Sequence, residues 1–516
     1  MQPAIFWACV GALLVASNGQ EIRPDEPVSA RIPFGTHINF GDSPTQMVIM
    51  WQTEVPTNLS VVEYGLVSPT VSAGSPRRVL SEHAPRFPEL TSGVQYNNTN
   101  QNRNTTVHKV ILEGLKQGAY YTYRVGDPSP GAGFSGAFFF TAMRTQEAIA
   151  DDALRLISYC DMGDRHGLTI PDVEEDIANN FYDGLLHCGD LAYDLASALG
   201  VTGDNWLRDI EPIAANLPYM VSPGNHEAHY NFSNFRQRFS MPMADKYESM
   251  YYSFDIGPAH IVSYNTEVFF WPQYFDEGLM KAQFEWLDQD LKAANANRDE
   301  RPWIIVMGHR PMYCLVADRT TGQCDHEHEA SRRGIPSGCG RAAGFEDDEH
   351  LCSPTADSLG TYPVEDLFYQ HGVDLAIFGH VHDYERFLPV YNESVPEATD
   401  ASNPYYAPKA PVHITTGSGG NPEMPYGAPG VEPPHGGCST WSPWCAYYSG
   451  YFPHGDQGAD FTYSHVIVHN STHLQFSQWS SIFRKWIDEI WIVQPKHGSF
   501  AANEEEVVPL HLRAEQ

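Results

Sequence analysis

Basic residues are scarce in this chain: 31 Lys and Arg stand against 64 Asp and Glu, leaving a formal net charge of −33. That deficit argues against nucleic acid and anionic membranes as partners, since both would be repelled. Charge of either sign is modest, at 18 % of residues against 42 % hydrophobic, which is the composition of a globular protein. Long apolar runs are missing. The run at residues 5–16 is too short to span a bilayer, and no other stretch approaches the length of a membrane helix. Residues 1–20 therefore read as a signal peptide, with small residues Ala16, Ser17 and Gly19 at the cleavage region, although no basic residue follows Met1. The expected destination is secreted or lysosomal.

Cys9 leaves with the signal, and the eight cysteines that remain form an even set, which in an exported chain favours disulfides. The near pairs Cys314–Cys324, Cys339–Cys352 and Cys438–Cys445 sit in loop-like surroundings and are expected to bridge. Cys160 and Cys188 each end an expected core strand, where buried thiols and a bridge are equally compatible with the sequence. Sequons at Asn58, Asn97, Asn104, Asn231, Asn392 and Asn470 fit an exported glycoprotein.

A chain of 516 residues is too long for one ordinary core, so at least two domains are expected. Residues 22–148 carry short apolar or alternating runs at 37–40, 47–51, 61–64, 107–112, 120–125 and 138–141, punctuated by Pro, Gly and Asn. This pattern predicts a β-sandwich of the fibronectin III or immunoglobulin kind, with a scaffold or recognition role. From residue 152 to about 480 strands alternate with helices, which predicts an α/β layered domain whose last part, 409–480, closes the sheets. Met280, Phe284, Leu287 and Leu291 mark one face of a helix. A Cys- and Gly-rich insertion occupies residues 313–362, and residues 494–516 form a polar tail, expected to be poorly ordered.

Within the α/β region five short segments follow apolar runs in order. They are Asp161-Met162-Gly163, Gly189-Asp190-Leu191-Ala192-Tyr193, Gly224-Asn225-His226-Glu227, Val306-Met307-Gly308-His309 and Gly379-His380-Val381-His382. In open α/β sheets ligands gather at the carboxyl ends of strands, where each segment would stand. Singly, each has an innocent reading as a turn, a cap or a packed histidine. Together they offer Asp161, Asp190, Tyr193, Asn225, His309, His380 and His382 as donors for two metals, with one carboxylate as the bridge. Carboxylate and phenolate suit a trivalent ion, whereas imidazole and amide suit a softer divalent one.

This ordered set resembles the purple acid phosphatases, within the calcineurin-like metallophosphoesterases, over roughly residues 30–480. The stretch from His309 to Cys314 is more similar to the long animal form. The resemblance implies that Asp161, Tyr193 and His382 hold Fe(III), that Asn225, His309 and His380 hold a divalent ion (zinc, iron or manganese), and that Asp190 bridges them. It implies hydrolysis of small phosphomonoesters by a metal-bound hydroxide, with His226 binding phosphate or protonating the leaving group. The plant form carries a histidine pair in the loop after His309. In this chain that loop reads Asp325-His326-Glu327-His328-Glu329, so His328 is the expected substrate contact, with His326, Arg332 and Arg333 as alternatives. Glu227, Tyr384, Glu385 and Arg386 are expected to be structural. A phosphodiesterase or nucleotidase of the same superfamily is the nearest rival, and Tyr193 argues against it. A secreted binding glycoprotein with a vestigial metal site is the rival from another class.

Overall fold

The computed structural model describes residues 28–67, 89–98, 105–271, 274–315, 329–334, 361–424, 435–437, 444–450 and 460–503. The signal peptide, His326, His328 and the sequon asparagine Asn104 lie outside these residues.

The N-terminal strands form two antiparallel sheets, each of four strands. One orders Phe34–Phe40, Met47–Thr53, Thr105–Leu112 and Val94–Asn98; the other orders Glu89–Ser92, Val61–Leu66, Tyr120–Gly126 and Phe138–Thr141. Alternation explains the arrangement. Tyr121, Tyr123 and Val125, two residues apart along one strand, are buried with Phe140 and Trp51 in one core. The predicted sandwich strands are thus present.

Two further sheets build the α/β part. The first runs Tyr219–Ser222, Gly184–Cys188, Leu154–Tyr159, Thr462–Val468, His473–Ser480 and Lys485–Val493. Its first three strands are parallel and the rest pair antiparallel. The second contains the parallel strands Ala259–Ser263, Trp303–Met307, Leu375–Phe378 and Val412–Thr416, flanked by antiparallel strands. Parallel neighbours require crossovers, and helices Ile170–Asn179, Val201–Ala214, Glu277–Ala296 and Val364–His371 supply them. The helix Glu277–Ala296 is capped by Asp276, whose carboxylate accepts the Leu279 N–H at 2.8 Å, and it buries Met280, Leu287 and Leu291 as its periodicity predicts. The helix Val201–Ala214 escapes a sequence reading because it contains Gly203 and Pro212. Burial of Trp206, Leu207, Ile210 and Ile213 outweighs that poor propensity.

The sandwich is fused to the α/β part. The Asn39 amide donates to the Tyr219 carbonyl at 2.6 Å, the Tyr123 hydroxyl donates to the Ala215 carbonyl at 2.7 Å, and one apolar cluster runs from Ile38 to Ile492. Beneath this junction the buried Arg238 guanidinium donates to Asp204 and Gln52 at 2.8 and 2.9 Å.

Three expectations need correction or completion. Of the tail expected to be poorly ordered, the start is packed and residues 504–516 lie outside the described residues. Gln494 is buried, His497 Nδ1 lies 2.9 Å from Asp374, and its imidazole sits against Trp303. Cys160 and Cys188 are joined in a disulfide, which resolves the alternative left by the sequence. Cys314 and Cys445 are also disulfide-bonded; the expected pairings with Cys324 and Cys438, and Cys339–Cys352, lie outside the described residues. Of the sequons, Asn231, Asn392 and Asn470 are exposed and Asn58 is half-buried, while Asn97 lies in the strand Val94–Asn98.

Candidate metal centre

Five loops meet where the carboxyl ends of Leu154–Tyr159, Gly184–Cys188 and Tyr219–Ser222 face those of Trp303–Met307 and Leu375–Phe378. Each loop leaves its strand abruptly. Asp161, Asp190, Tyr193 and His380 all adopt left-handed backbone conformations, with φ of 61°, 56°, 55° and 69°. Such conformations are costly for residues with a Cβ and persist only where surrounding contacts fix them, a recurring feature of functional sites.

Those contacts are visible. The Glu227 carboxylate accepts the backbone N–H groups of Asp190, Leu191 and Gly224 at 2.9, 2.8 and 2.8 Å, tying two of the loops together. The His380 N–H donates to Asp161 Oδ2 at 2.8 Å. A Cβ on Gly379 would lie 2.2 Å from that same oxygen, so only glycine admits the approach. His309 is oriented by a 3.0 Å contact between Nδ1 and the Cys188 carbonyl, which leaves Nε2 facing the cleft.

The side chains that project from these loops converge. His309 Nε2 lies 3.1 Å from Asp190 Oδ2 and 2.9 Å from Asn225 Oδ1. The Tyr193 hydroxyl lies 2.6 Å from His382 Nε2 and donates to Asp161 Oδ1 at 3.2 Å. His380 stacks edge-on against His309 with ring centres 5.1 Å apart. Among the described residues two groups have the reach to hold a cation: Asp190, His309 and His380, and Asp161, Asp190 and His382. Asp190 belongs to both. Asp161 and Asp190 are wholly buried.

Burial on its own pushes the Tyr193 phenol above its usual value, and the neighbouring Asp161 and Asp190 push it further. For Asp190 burial acts in the opposite sense to the net effect, and His309 and His226 hold its carboxyl well below the usual range. Two buried carboxylates facing imidazoles and a phenol form an anionic pocket whose donors suit a cation. The residues therefore fit a metal pair on chemical grounds.

His226 stands apart from these donors. Its backbone N–H donates to Asp190 Oδ1 at 2.9 Å, its Nδ1 lies 2.9 Å from Asp194, and its Nε2 lies 3.9 Å from Asp190 Oδ2. Glu423 reaches the same space, 3.6 Å from His226 Nε2 and 3.9 Å from His382 Nδ1.

Family models match three segments of the chain: the purple acid phosphatase N-terminal domain at residues 33–142, the calcineurin-like phosphoesterase at 168–384, and the iron/zinc purple acid phosphatase-like protein C at 410–489. Acid phosphatase type 7 of Homo sapiens is 36 % identical over 496 residues, spanning 96 % of this chain and 98 % of its own length. The chain belongs to the purple acid phosphatases. A zebrafish acid phosphatase type 7 is likewise 36 % identical, covering 91 % of this chain and 94 % of its own. The solved purple acid phosphatase from yellow lupin seeds matches with a TM-score of 0.64 at 20 % identity, covering 90 % of this chain and 75 % of that one, so it shows the shared fold.

Sequence reading missed several residues that contact the site. Asp194 is adjacent to Tyr193, a cue that was available. Glu423 lies in a Gly/Pro-rich loop with nothing to mark it. Arg310 was read only as part of a resemblance, yet it is buried between Glu267 at 3.1 Å and the Phe270 ring, and its Nη1 lies 3.1 Å from His380 Nε2. Arg332 and Arg333 were alternatives for gripping phosphate. Arg332 is buried and ion-paired with Glu365 at 3.1 Å, and Arg333 pairs with Asp366 at 2.6 Å, so both guanidiniums are neutralised by carboxylates. Tyr384 and Arg386 bond Asp488, and Glu385 accepts the Leu315 N–H, which are the structural roles expected of them.

Proposed function

We propose that this chain is an acid phosphatase that hydrolyses phosphomonoesters at a dinuclear metal centre. The observation that carries the reading is the convergence of two donor groups on the shared, buried Asp190. The relatives named acid phosphatase support the substrate class. Asp161, Tyr193 and His382 are the harder, more anionic set and would hold Fe(III); Asn225, His309 and His380 offer amide and imidazole donors and would hold zinc, iron or manganese. When bound, two such ions supply a Lewis-acid clamp for phosphate and a hydroxide as the attacking group.

The chain's own residues supply the rest. In the metal-free chain burial disfavours charge on His226, but Asp190, Asp194 and Glu423 outweigh it and raise its pKa to about 10. An imidazolium held by Asp194 through Nδ1 presents its Nε2 proton to a phosphate oxygen or a leaving alkoxide. Glu227 and the left-handed loops hold the donors in place before substrate arrives. The phenol of Tyr193 favours this reading over a divalent-only phosphodiesterase. Export to the cell exterior or a lysosome is part of the proposal; the disulfides and exposed sequons support it. No helix among the described residues is long and apolar enough to cross a membrane. The test is turnover of a chromogenic phosphomonoester together with metal analysis. Two ions per chain are expected in the wild type, and Asp190→Asn should lose metal and activity together. Full activity in a metal-free preparation would sink the proposal.

A further inference from the structure

The parallel pairing of Leu154–Tyr159 with Gly184–Cys188 ends at Tyr159 opposite His187. Cys160 and Cys188 are the next residues on the two strands, and their disulfide takes over where the ladder stops, with Cα atoms 4.7 Å apart. One residue beyond Cys160 is Asp161; two beyond Cys188 is Asp190. Both carboxylate-bearing residues turn at once into left-handed backbone. The Asp161 N–H donates to the Gly189 carbonyl at 3.1 Å, so a hydrogen bond and a covalent bond span the same two loops side by side.

Cys188 also reaches a third loop, since its carbonyl fixes the His309 ring through Nδ1 at 3.0 Å. Cys160 reaches a fourth, at the end of Val412–Thr416: its N–H donates to the Thr416 carbonyl at 3.0 Å, and its carbonyl accepts the Gly419 N–H at 3.1 Å. Its side chain bounds the Gly379 turn, where an added Cβ would lie 2.5 Å from Cys160 Cβ. Both cysteines are fully buried.

We propose that the Cys160–Cys188 disulfide is a positioning element of the metal centre, fixing the separation of Asp161 and Asp190 so that both can serve one ion pair. The inference rests on the dinuclear reading above. Backbone turns of this kind are held only when several contacts over-determine them; here the cross-link lies just before the two turns and the short parallel pairing of Met162–Gly163 with Leu191–Ala192 just after them.

Peptide mapping of denatured, alkylated, unreduced protein should recover residues 160 and 188 in one linked peptide; recovery as two alkylated thiols overturns the proposal. Cys160→Ala/Cys188→Ala, with Cys160→Ala/Cys188→Val as a second pair that keeps more of the volume, should fold yet release metal to a chelator about 10–100-fold faster than wild type. The visible absorption of the iron-loaded protein should weaken in parallel. A merely structural staple would lower the melting temperature of the metal-free protein and leave chelator release, measured well below melting, unchanged; that result also overturns the proposal. A wild type that itself binds fewer than two ions would instead defeat the dinuclear reading, so the two failures are distinguishable.

Discussion

His226 and Tyr193 lie against each other, ring centres 4.3 Å apart, yet the chemistry expected of them differs. His226 belongs to neither donor group and bonds Asp190 through its backbone N–H, which an alanine keeps, so His226→Ala should retain both metals. Its loss should lower kcat by about 10²–10⁴-fold, most for substrates with poor leaving groups, because the proton donor is gone. Metal analysis beside kcat for a series of leaving groups checks this; metal loss in the variant would make His226 a ligand. Tyr193 has its oxygen between His382 and Asp161 in a site where burial alone would keep it protonated. Only a strongly charged cation beside that oxygen makes a phenolate there. A ferric phenolate absorbs visible light, so the iron-loaded protein should be pink to purple. Tyr193→Phe keeps the ring and should bleach it; an unchanged spectrum would leave Tyr193 as packing alone. The motif spacing in the sequence marked both residues, whereas the contact between His226 and Asp194, 32 residues apart, is made only by the fold.

Among secondary-structure elements, the hairpin Tyr252–Ile256/Ala259–Ser263 is pinned to the helix Glu277–Ala296 through Asp290, which accepts the Ser253 hydroxyl at 2.7 Å and faces the His260 imidazole. His260 lies 2.7 Å from Asp255 through Nδ1 and 2.9 Å from Asp290 through Nε2. Burial opposes its charge, but the hydrogen bonds to both carboxylates outweigh burial and raise its pKa to about 9. A histidine whose pKa is higher folded than unfolded stabilises fully below its unfolded value of about 6.5, and the effect fades as pH rises to about 9. Asp255 is held below its usual value, burial being outweighed by His260, so the pair remains charged into the acid range. His260→Gln should therefore cost up to about 3 kcal/mol near pH 5 to 6 and little above pH 9. Thermal melting of the metal-free proteins across that range checks the sign; a cost that grows with pH would refute it. The periodicity of Met280, Leu287 and Leu291 revealed the helix, but not that its flank carries Asp290 to a strand. Helix and strand patterns record which face is buried, and a polar tie between two elements leaves no such periodic trace.

At the scale of the whole molecule the sandwich and the α/β part share one apolar core. Phe40 lies within reach of Gly184 at the head of a central strand, and the buried Arg238 takes Gln52 from the sandwich as one of its acceptors. A chain lacking residues 1–148 should therefore be insoluble or molten, with exposed apolar surface that binds a hydrophobic dye. A soluble truncated protein with an undiminished melting temperature would show the sandwich to be a separable attachment. Alternating strands, helix-period residues and five ordered motifs were local patterns, so the sequence by itself determined the two-part architecture, the family and the seven side chains that meet here. It determined them because each motif closely follows an apolar strand, and strand ends in such sheets are where ligands gather. Tertiary structure alone decided the remainder: the left-handed turns at Asp161, Asp190, Tyr193 and His380, the Glu227 clamp, the bridge between Cys160 and Cys188, the packed start of the tail and the pairing of Arg332 and Arg333 with acids. Each of these is a contact between residues far apart in the chain, or a backbone state that only such contacts can hold, and neither is encoded in a residue's immediate neighbours.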